Sequence, residues 1–292
     1  MIIDKNIPRK EKITRDRIQY VPKTDIPLMS VVEISNSGLC NRKCSFCPRS
    51  APDYPHMNEF ISEELHKKIF SELSLLNYKG MVIYSGYVEP LLDKKIYKSI
   101  SEARNFLPEA QIEIITNGDV LNLSRIKKLF SSGLSTLLVS VYDGPEDEKK
   151  FYELCLEAGL RKDQYVIRNR YMSSDKDFGL NISNRSGELA NAEFKIPALE
   201  KALEAKCNYP AYTFFIDYNG DVQMCSHDWG KKYVIGNVNK EKIVDIWLNK
   251  KFERARKNLL NSNRNFSPCN KCDVSGELIG TKHADNWIKK IK

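Results

Sequence analysis

Residues 29–50 read MSVVEISNSGLCNRKCSFCPRS, and the interpretation of this stretch decides the fold. Its first part, MSVVEIS (29–35), is a β-branched run closed by Asn36-Ser37-Gly38, which predicts a buried strand ending in a turn. The second part sets Cys40, Cys44 and Cys47 in a C-x3-C-x2-C spacing, with Phe46 just before the third thiol and no fourth cysteine close by. A structural single-metal site takes four protein ligands. An iron–sulfur cube held by three cysteines instead keeps one iron open for a chelating ligand, and soft thiolates favour that class of centre. The competing reading is a zinc knuckle completed by His56 or by a distant cysteine.

Outward from that loop, strand and helix alternate. Ile61–Leu76 has apolar residues at a helical period, with Glu63 and Glu64 near its start. The strands MVIYS (81–85), QIEIIT (111–116), STLLVSV (135–141) and QYVIRNRYM (164–172) are separated by helical stretches near 92–106, Leu123–Phe130 and Glu146–Ala158. A repeat of roughly 25–30 residues predicts right-handed βαβ units on a parallel sheet. In such sheets the chemistry gathers at the carboxyl ends of the strands. The cysteine loop, SGYVEP, TNG, SVYDG and the pair Arg168 and Arg170 all fall there. LNISNRSGEL (180–189) is expected to add a sixth short strand, and Pro197–Ala205 a helix. Residues 1–30, polar and interrupted by Pro8, Pro22 and Pro27, read as an extension over the main domain. Cys155, alone in FYELCLEAGL, reads as a buried small hydrophobe.

A boundary near residue 200 gives three parts: an extension at 1–30, a core domain at 31–200, and a smaller domain at 201–292. The last part carries Cys207, Cys225, Cys269 and Cys272. YTFFIDYNGDVQMCS (212–226) reads as a hairpin turning at Asn219-Gly220, and a helix is expected from about 241 to 259. Four cysteines, one pair of them in C-x2-C, can close on one metal centre, either a cluster or a zinc ribbon. His227 and Asp228 either face a substrate or decorate a turn.

Composition narrows the class. With 41% hydrophobic and 29% charged residues the chain reads as soluble and globular, and no apolar run reaches the roughly 18–20 residues of a membrane span. The charged N-terminus lacks a signal-peptide core, so cytoplasmic residence is expected, where cysteines serve as ligands more often than as disulfides. The net charge of +8 is spread out, without an arginine-rich stripe, and gives little ground for nucleic-acid binding.

The three-cysteine spacing, with an aromatic before its last thiol, resembles the radical S-adenosylmethionine (SAM) superfamily. Cys207, Gly220 ahead of Cys225, IGNV (235–238) and DIWLNKKFERAR (245–256) resemble its SPASM/twitch auxiliary-cluster domain, in the abbreviated form of the 2-deoxy-scyllo-inosamine dehydrogenase type. The resemblance implies an α/β fold, a partial (β/α)6 TIM-type barrel followed by a small α+β domain. It implies a SAM-binding 4Fe–4S cluster on Cys40, Cys44 and Cys47. It also implies one auxiliary 4Fe–4S cluster on Cys207, Cys225, Cys269 and Cys272, since no cysteine follows Cys272. SGYVEP, with Ser85, Gly86 and Glu89, resembles the GGEP segment that holds the SAM amino group, with Val88 in place of its second glycine. Ser140 and either Arg168 or Arg170 fall where relatives hold the SAM ribose and carboxylate. Asn117 either binds SAM or caps its turn, and Phe46 either flanks the adenine or packs on the cluster loop. No match to the adenine-contacting GxIxGxxE stretch is present.

The implied activity is reductive cleavage of SAM to a 5'-deoxyadenosyl radical that oxidises a small polar substrate, a sugar or aminocyclitol alcohol, to a ketone. The auxiliary cluster would accept an electron, and a flavodoxin or ferredoxin would supply the first one. Two alternatives are a peptide- or protein-modifying maturase and a non-catalytic, metal-stabilised binding protein. No proton-accepting residue is evident.

Overall fold

The computed structural model of the chain describes residues 4–170, 183–193 and 195–291. Its centre is β1 (Val31–Ile34), the strand that feeds the cysteine loop. β2 (Met81–Tyr84), β3 (Gln111–Thr116), β4 (Thr136–Val141) and β5 (Tyr165–Asn169) follow in sequence. β6 (Thr213–Ile216), β7 (Asp221–Gln223) and β8 (Val234–Asn237) complete an eight-stranded sheet in the order β5-β4-β3-β2-β1-β6-β7-β8. From β5 to β6 every pairing is parallel, while β7 and β8 are antiparallel. The sheet does not close on itself, so the fold is α/β, a partial barrel of six parallel strands.

Both faces are covered, and the side-chain alternation of the strands explains by what. On one face Val32, Ile34, Val82, Ile112, Ile114 and Leu137 pack under α2 (Glu63–Leu75), α3 (Ile96–Phe106), α4 (Leu123–Ser131) and α5 (Pro145–Glu157). Ser62 and Asn122 cap α2 and α4 by accepting from Leu65 N and Arg125 N at 3.1 and 2.9 Å. Cys155 lies buried in this layer, as its apolar setting suggests. The opposite face carries Val31, Met81 and Ile83, against which Ile13 packs.

Ile13 belongs to an element the prolines argued against. Residues 6–16 form α1 (Asn6–Asp16), because Pro8 falls in the first turn, where no backbone donor is required. Arg9 of α1 pairs with the buried Glu113 of β3, and Arg17 Nη1 donates to the carbonyls of Lys79 and Glu109 at 3.0 and 2.9 Å.

Three further differences concern the second half. The sixth parallel strand is β6 rather than LNISNRSGEL. Within that stretch Arg185–Ala190 is a 3-10 helix, and residues 180–182 lie outside the described residues, as do Tyr171, Met172 and the loop at 173–177. Residues 197–205 are not helical, since their backbone bonds outward: Leu199 N donates to Lys271 O, and Pro197 O accepts from Asn184 Nδ2. The helix expected at 241–259 is two, α7 (Ile243–Leu248) and α8 (Lys250–Leu260), split at Asn249, whose side chain caps α8. α6 (Tyr209–Tyr212) precedes this pair and α9 (Thr281–Ile288) follows it. No helix among the described residues is long and apolar enough to cross a membrane.

Candidate active site

The loop after β1 brings Cys40, Cys44 and Cys47 together at partial exposure, and all eight cysteines of the chain are free thiols. Cys47 N donates to Cys44 O at 2.9 Å and a 3-10 turn starts at Pro48, so the second and third thiols are set by one tight backbone curl. Burial, then the neighbouring Cys47, pushes the Cys44 thiol up to about 12. Losing that proton therefore needs a cation to receive the sulfur. Arg49, buried under the loop, donates to the carbonyls of Gly38 and Tyr87 at 3.2 and 3.1 Å. Its other amino group lies 3.1 Å from His56 Nδ1. His56 Nδ1, the candidate fourth ligand of the zinc reading, is thus engaged with Arg49.

At the rim, Arg42 donates to both Asp119 (Nε to Oδ2, 2.8 Å) and Asp143 (Nη1 to Oδ1, 2.8 Å) and lies over the Tyr142 ring. Phe46 stacks on the same ring at 5.4 Å between centroids. Asn117 Nδ2 reaches Asn41 Oδ1 at 2.8 Å and Cys40 Sγ at 3.9 Å, so the TNG turn of β3 touches the cysteine loop directly.

Glu89 is buried at the centre of this edge. Its Oε1 accepts from Leu91 N (3.0 Å) and Thr116 Oγ1 (2.7 Å), and its Oε2 from Asn117 N (2.7 Å). Despite these donors, burial dominates and raises its pKa to about 7. Ser85 Oγ donates to Glu33 Oε1 at 2.5 Å. Gly86 turns with φ +96°, and a Cβ there would lie 2.9 Å from the Phe215 ring, so only glycine fits without displacement. Ser140 and Arg168 are register partners on β4 and β5.

The two arginines are not idle. Arg168 is ion-paired to Asp4, just ahead of α1, and Arg170 Nη2 stands 3.5 Å from the same carboxylate. Burial and the adjacent Arg168 bring Arg170 down to about 9, while the pair helps hold Asp4 below its usual range against the opposing effect of burial. Asp4, Arg42 and Tyr142 were invisible as site residues in the sequence. Nothing local marks a carboxylate 164 residues away from its arginine.

The second nest is closed. Cys207 ahead of α6, Cys225 just after β7, and Cys269 and Cys272 on and after a 3-10 turn line one cavity, each less than one-tenth exposed. Gly276 backs it: a Cβ there would sit 2.3 Å from Cys207 Sγ. His227 bridges Tyr209 Oη (2.9 Å) and Ser183 Oγ (3.2 Å) on the cavity wall, while Asp228 accepts from Lys232 N and Tyr233 N and closes a turn. Among the described residues, no three His, Cys, Asp or Glu side chains converge on a point that would hold a single metal ion. Thiolates on one zinc ion lie only about 3.8 Å apart. Two all-sulfur nests, one of three thiols and one of four, are the donor sets that iron–sulfur cubes take.

Residues 35–166 match the family model described as the radical SAM superfamily, and 207–273 match the SPASM iron–sulfur cluster-binding domain. The S-adenosyl-L-methionine-dependent 2-deoxy-scyllo-inosamine dehydrogenase of Niallia circulans is 32% identical over 248 residues, covering 84% of this chain and 93% of that protein. The chain belongs to the radical SAM superfamily. As a radical SAM protein with a SPASM segment, it takes 4Fe–4S clusters and SAM as cofactors. Among solved structures, BtrN in complex with AdoMet and 2-DOIA matches at a TM-score of 0.73 and 29% identity, covering 88% of this chain and 97% of that one. Native anSMEcpe with bound AdoMet, at 12% identity, a TM-score of 0.55 and coverage of 90% and 96%, shares the radical SAM fold.

Proposed function

We propose that this chain is a radical SAM dehydrogenase that oxidises one alcohol carbon of a sugar or aminocyclitol to a ketone. The observation that carries the reading is the pairing of an open three-thiol loop with a closed four-thiol cavity, in a chain that spans nearly all of a SAM-dependent aminocyclitol dehydrogenase. When bound, the clusters and SAM supply one-electron chemistry: reductive cleavage of SAM to a 5'-deoxyadenosyl radical that takes hydrogen, and an acceptor for the electron released with the ketone.

The protein's share is assigned residue by residue. Cys40, Cys44 and Cys47 hold the SAM-binding cluster, and Cys207, Cys225, Cys269 and Cys272 the auxiliary one. Glu89 accepts three hydrogen bonds and keeps one acceptor position on Oε2 for the SAM amino group. Arg168 and Arg170, both facing Asp4, would offer the carboxylate clamp. Ser140, the register partner of Arg168, would hold the ribose, and Asn117 would serve both SAM and the loop turn. Phe46, stacked on Tyr142, forms a wall for the adenine. Ser85 and Gly86 shape the turn that presents Glu89. The chain divides into a 1–30 extension, a 31–200 core and a 201–292 auxiliary domain, the last of which lends β6 to the core's parallel sheet. It works in the cytoplasm with a flavodoxin or ferredoxin as electron donor.

The test is anaerobic reconstitution with iron counting, then incubation with SAM, a reductant and a panel of aminocyclitols, sugars and cysteine- or serine-containing peptides. The expected result is about eight irons per chain and ketone formed together with 5'-deoxyadenosine from a cyclitol or sugar. Turnover of peptides alone would replace this reading with that of a maturase.

A further inference from the structure

We propose that Arg264 is the fixed counter-charge of the auxiliary cluster and sets how readily that cluster takes an electron. This rests on the reading of the four-cysteine nest given above. Arg264 is 2% exposed and lines the same cavity as the four cysteines. Its Nε donates to Ala205 O at 2.8 Å, Nη2 to Lys206 O at 2.7 Å and Nη1 to Val274 O at 2.9 Å. The three acceptors are neutral carbonyls, and among the described residues no carboxylate pairs with it. Arg256, also fully buried, has its charge met by the faces of Trp247, Phe252 and Trp287 at 4.0, 4.3 and 4.0 Å. Among the described residues no ring face meets Arg264 in this way.

A guanidinium stays charged at any physiological pH, and in a dry interior that charge is costly without an opposite one. Four thiolates are the opposite charge available. Burial drives the thiols of Cys207 and Cys269 up, and Arg264 is among the groups pulling both the other way. A cluster on four thiolates is anionic, and accepting the electron released at the substrate carbon adds a further negative charge. A cation fixed in the cavity wall stabilises the reduced form more than the oxidised form, so the potential rises. The carbonyl bonds give the same residue a second task. They fix the two residues before Cys207 and the second residue after Cys272, and so hold the charge in place relative to both ligand segments.

The test is an EPR-monitored redox titration of the reconstituted full chain as wild type, Arg264→Gln and Arg264→Lys. The Gln variant should hold about tenfold less reduced auxiliary cluster at a fixed poise, which is about 59 mV for one electron. The Lys variant should stay within about threefold of wild type at mildly acidic pH, although its melting temperature falls as much as that of the Gln variant. The cluster's negative charge holds the Lys ammonium protonated, so the Lys variant and wild type should both lie above the Gln value. Arg264→Met serves as a second neutral variant where the Gln chain does not fold, and should match the potential expected of it. Equal potentials in wild type, the Lys variant and the neutral variants would leave Arg264 as a backbone tie only and overturn the proposal. A wild-type chain with about four irons instead of about eight would instead remove the auxiliary cluster itself.

Discussion

Around Cys40, Cys44 and Cys47 the thiols are half-exposed and the loop is pinned at its rim by charged contacts, Arg42 to Asp119 and Asp143. Around Cys207, Cys225, Cys269 and Cys272 the thiols are buried, a glycine packs close to one of them, and an arginine bonded only to carbonyls lines the same cavity. A site that must admit a chelating cofactor has to leave an approach open, and its scaffold is built from polar contacts that tolerate water. A site that only exchanges electrons gains from exclusion of solvent, because each nearby charge then acts at low dielectric. The difference between the nests is thus a difference of task.

The sharpest way to break this comparison is Cys44→Ala. Iron should fall from about eight to about four per chain, and 5'-deoxyadenosine formation should cease. Persistent cleavage would mean that the loop is not the SAM-binding centre. Cys225→Ala should divide the two tasks: 5'-deoxyadenosine continues to form, while ketone falls at least tenfold relative to it. The ratio of the two products in one assay is the measurement, and an unchanged ratio would deny the closed nest its electron-accepting role.

Smaller effects probe the open side alone. Arg168→Gln removes a charge-assisted bond to carboxylate, about 1.5–3 kcal/mol, so SAM should bind at least tenfold more weakly by equilibrium dialysis. Asp4→Asn should act in the opposite direction by freeing the pair.

A further effect, spread over the pH scale, is a slope. Glu89 sits at about 7, raised mainly by burial from 4.5. Its contribution to the stability of the cluster-free chain is therefore full below pH 4.5 and is lost as pH rises through 7, on the order of 3 kcal/mol. Urea midpoints between these values should decline with pH in wild type and flatten in Glu89→Gln.

What the sequence disclosed follows from the range of the interactions involved. β1 to β5 and α2 to α5 were legible because burial on one or both faces imposes a local period. The seven clustered cysteines were legible because ligand spacing is local as well. The identity of the sixth parallel strand was not: β6 joins β1 across nearly 180 residues, and its hairpin signature speaks only for its pairing with β7. The helix α1 was missed because three prolines were weighed without regard to where in a turn each one falls. The Asp4 contact with Arg168 and the three carbonyl bonds of Arg264 join segments far apart in the chain, and no short pattern encodes them.

The pairing of β1 with β6, Ile34 beside Ile216, has one more implication. Cys40 lies six residues beyond the first of these partners, and Cys225 lies across the hairpin from the second. One hydrogen-bonded lattice thus roots a segment of each cysteine group, so a change that loosens the β1–β6 seam should disturb both groups together.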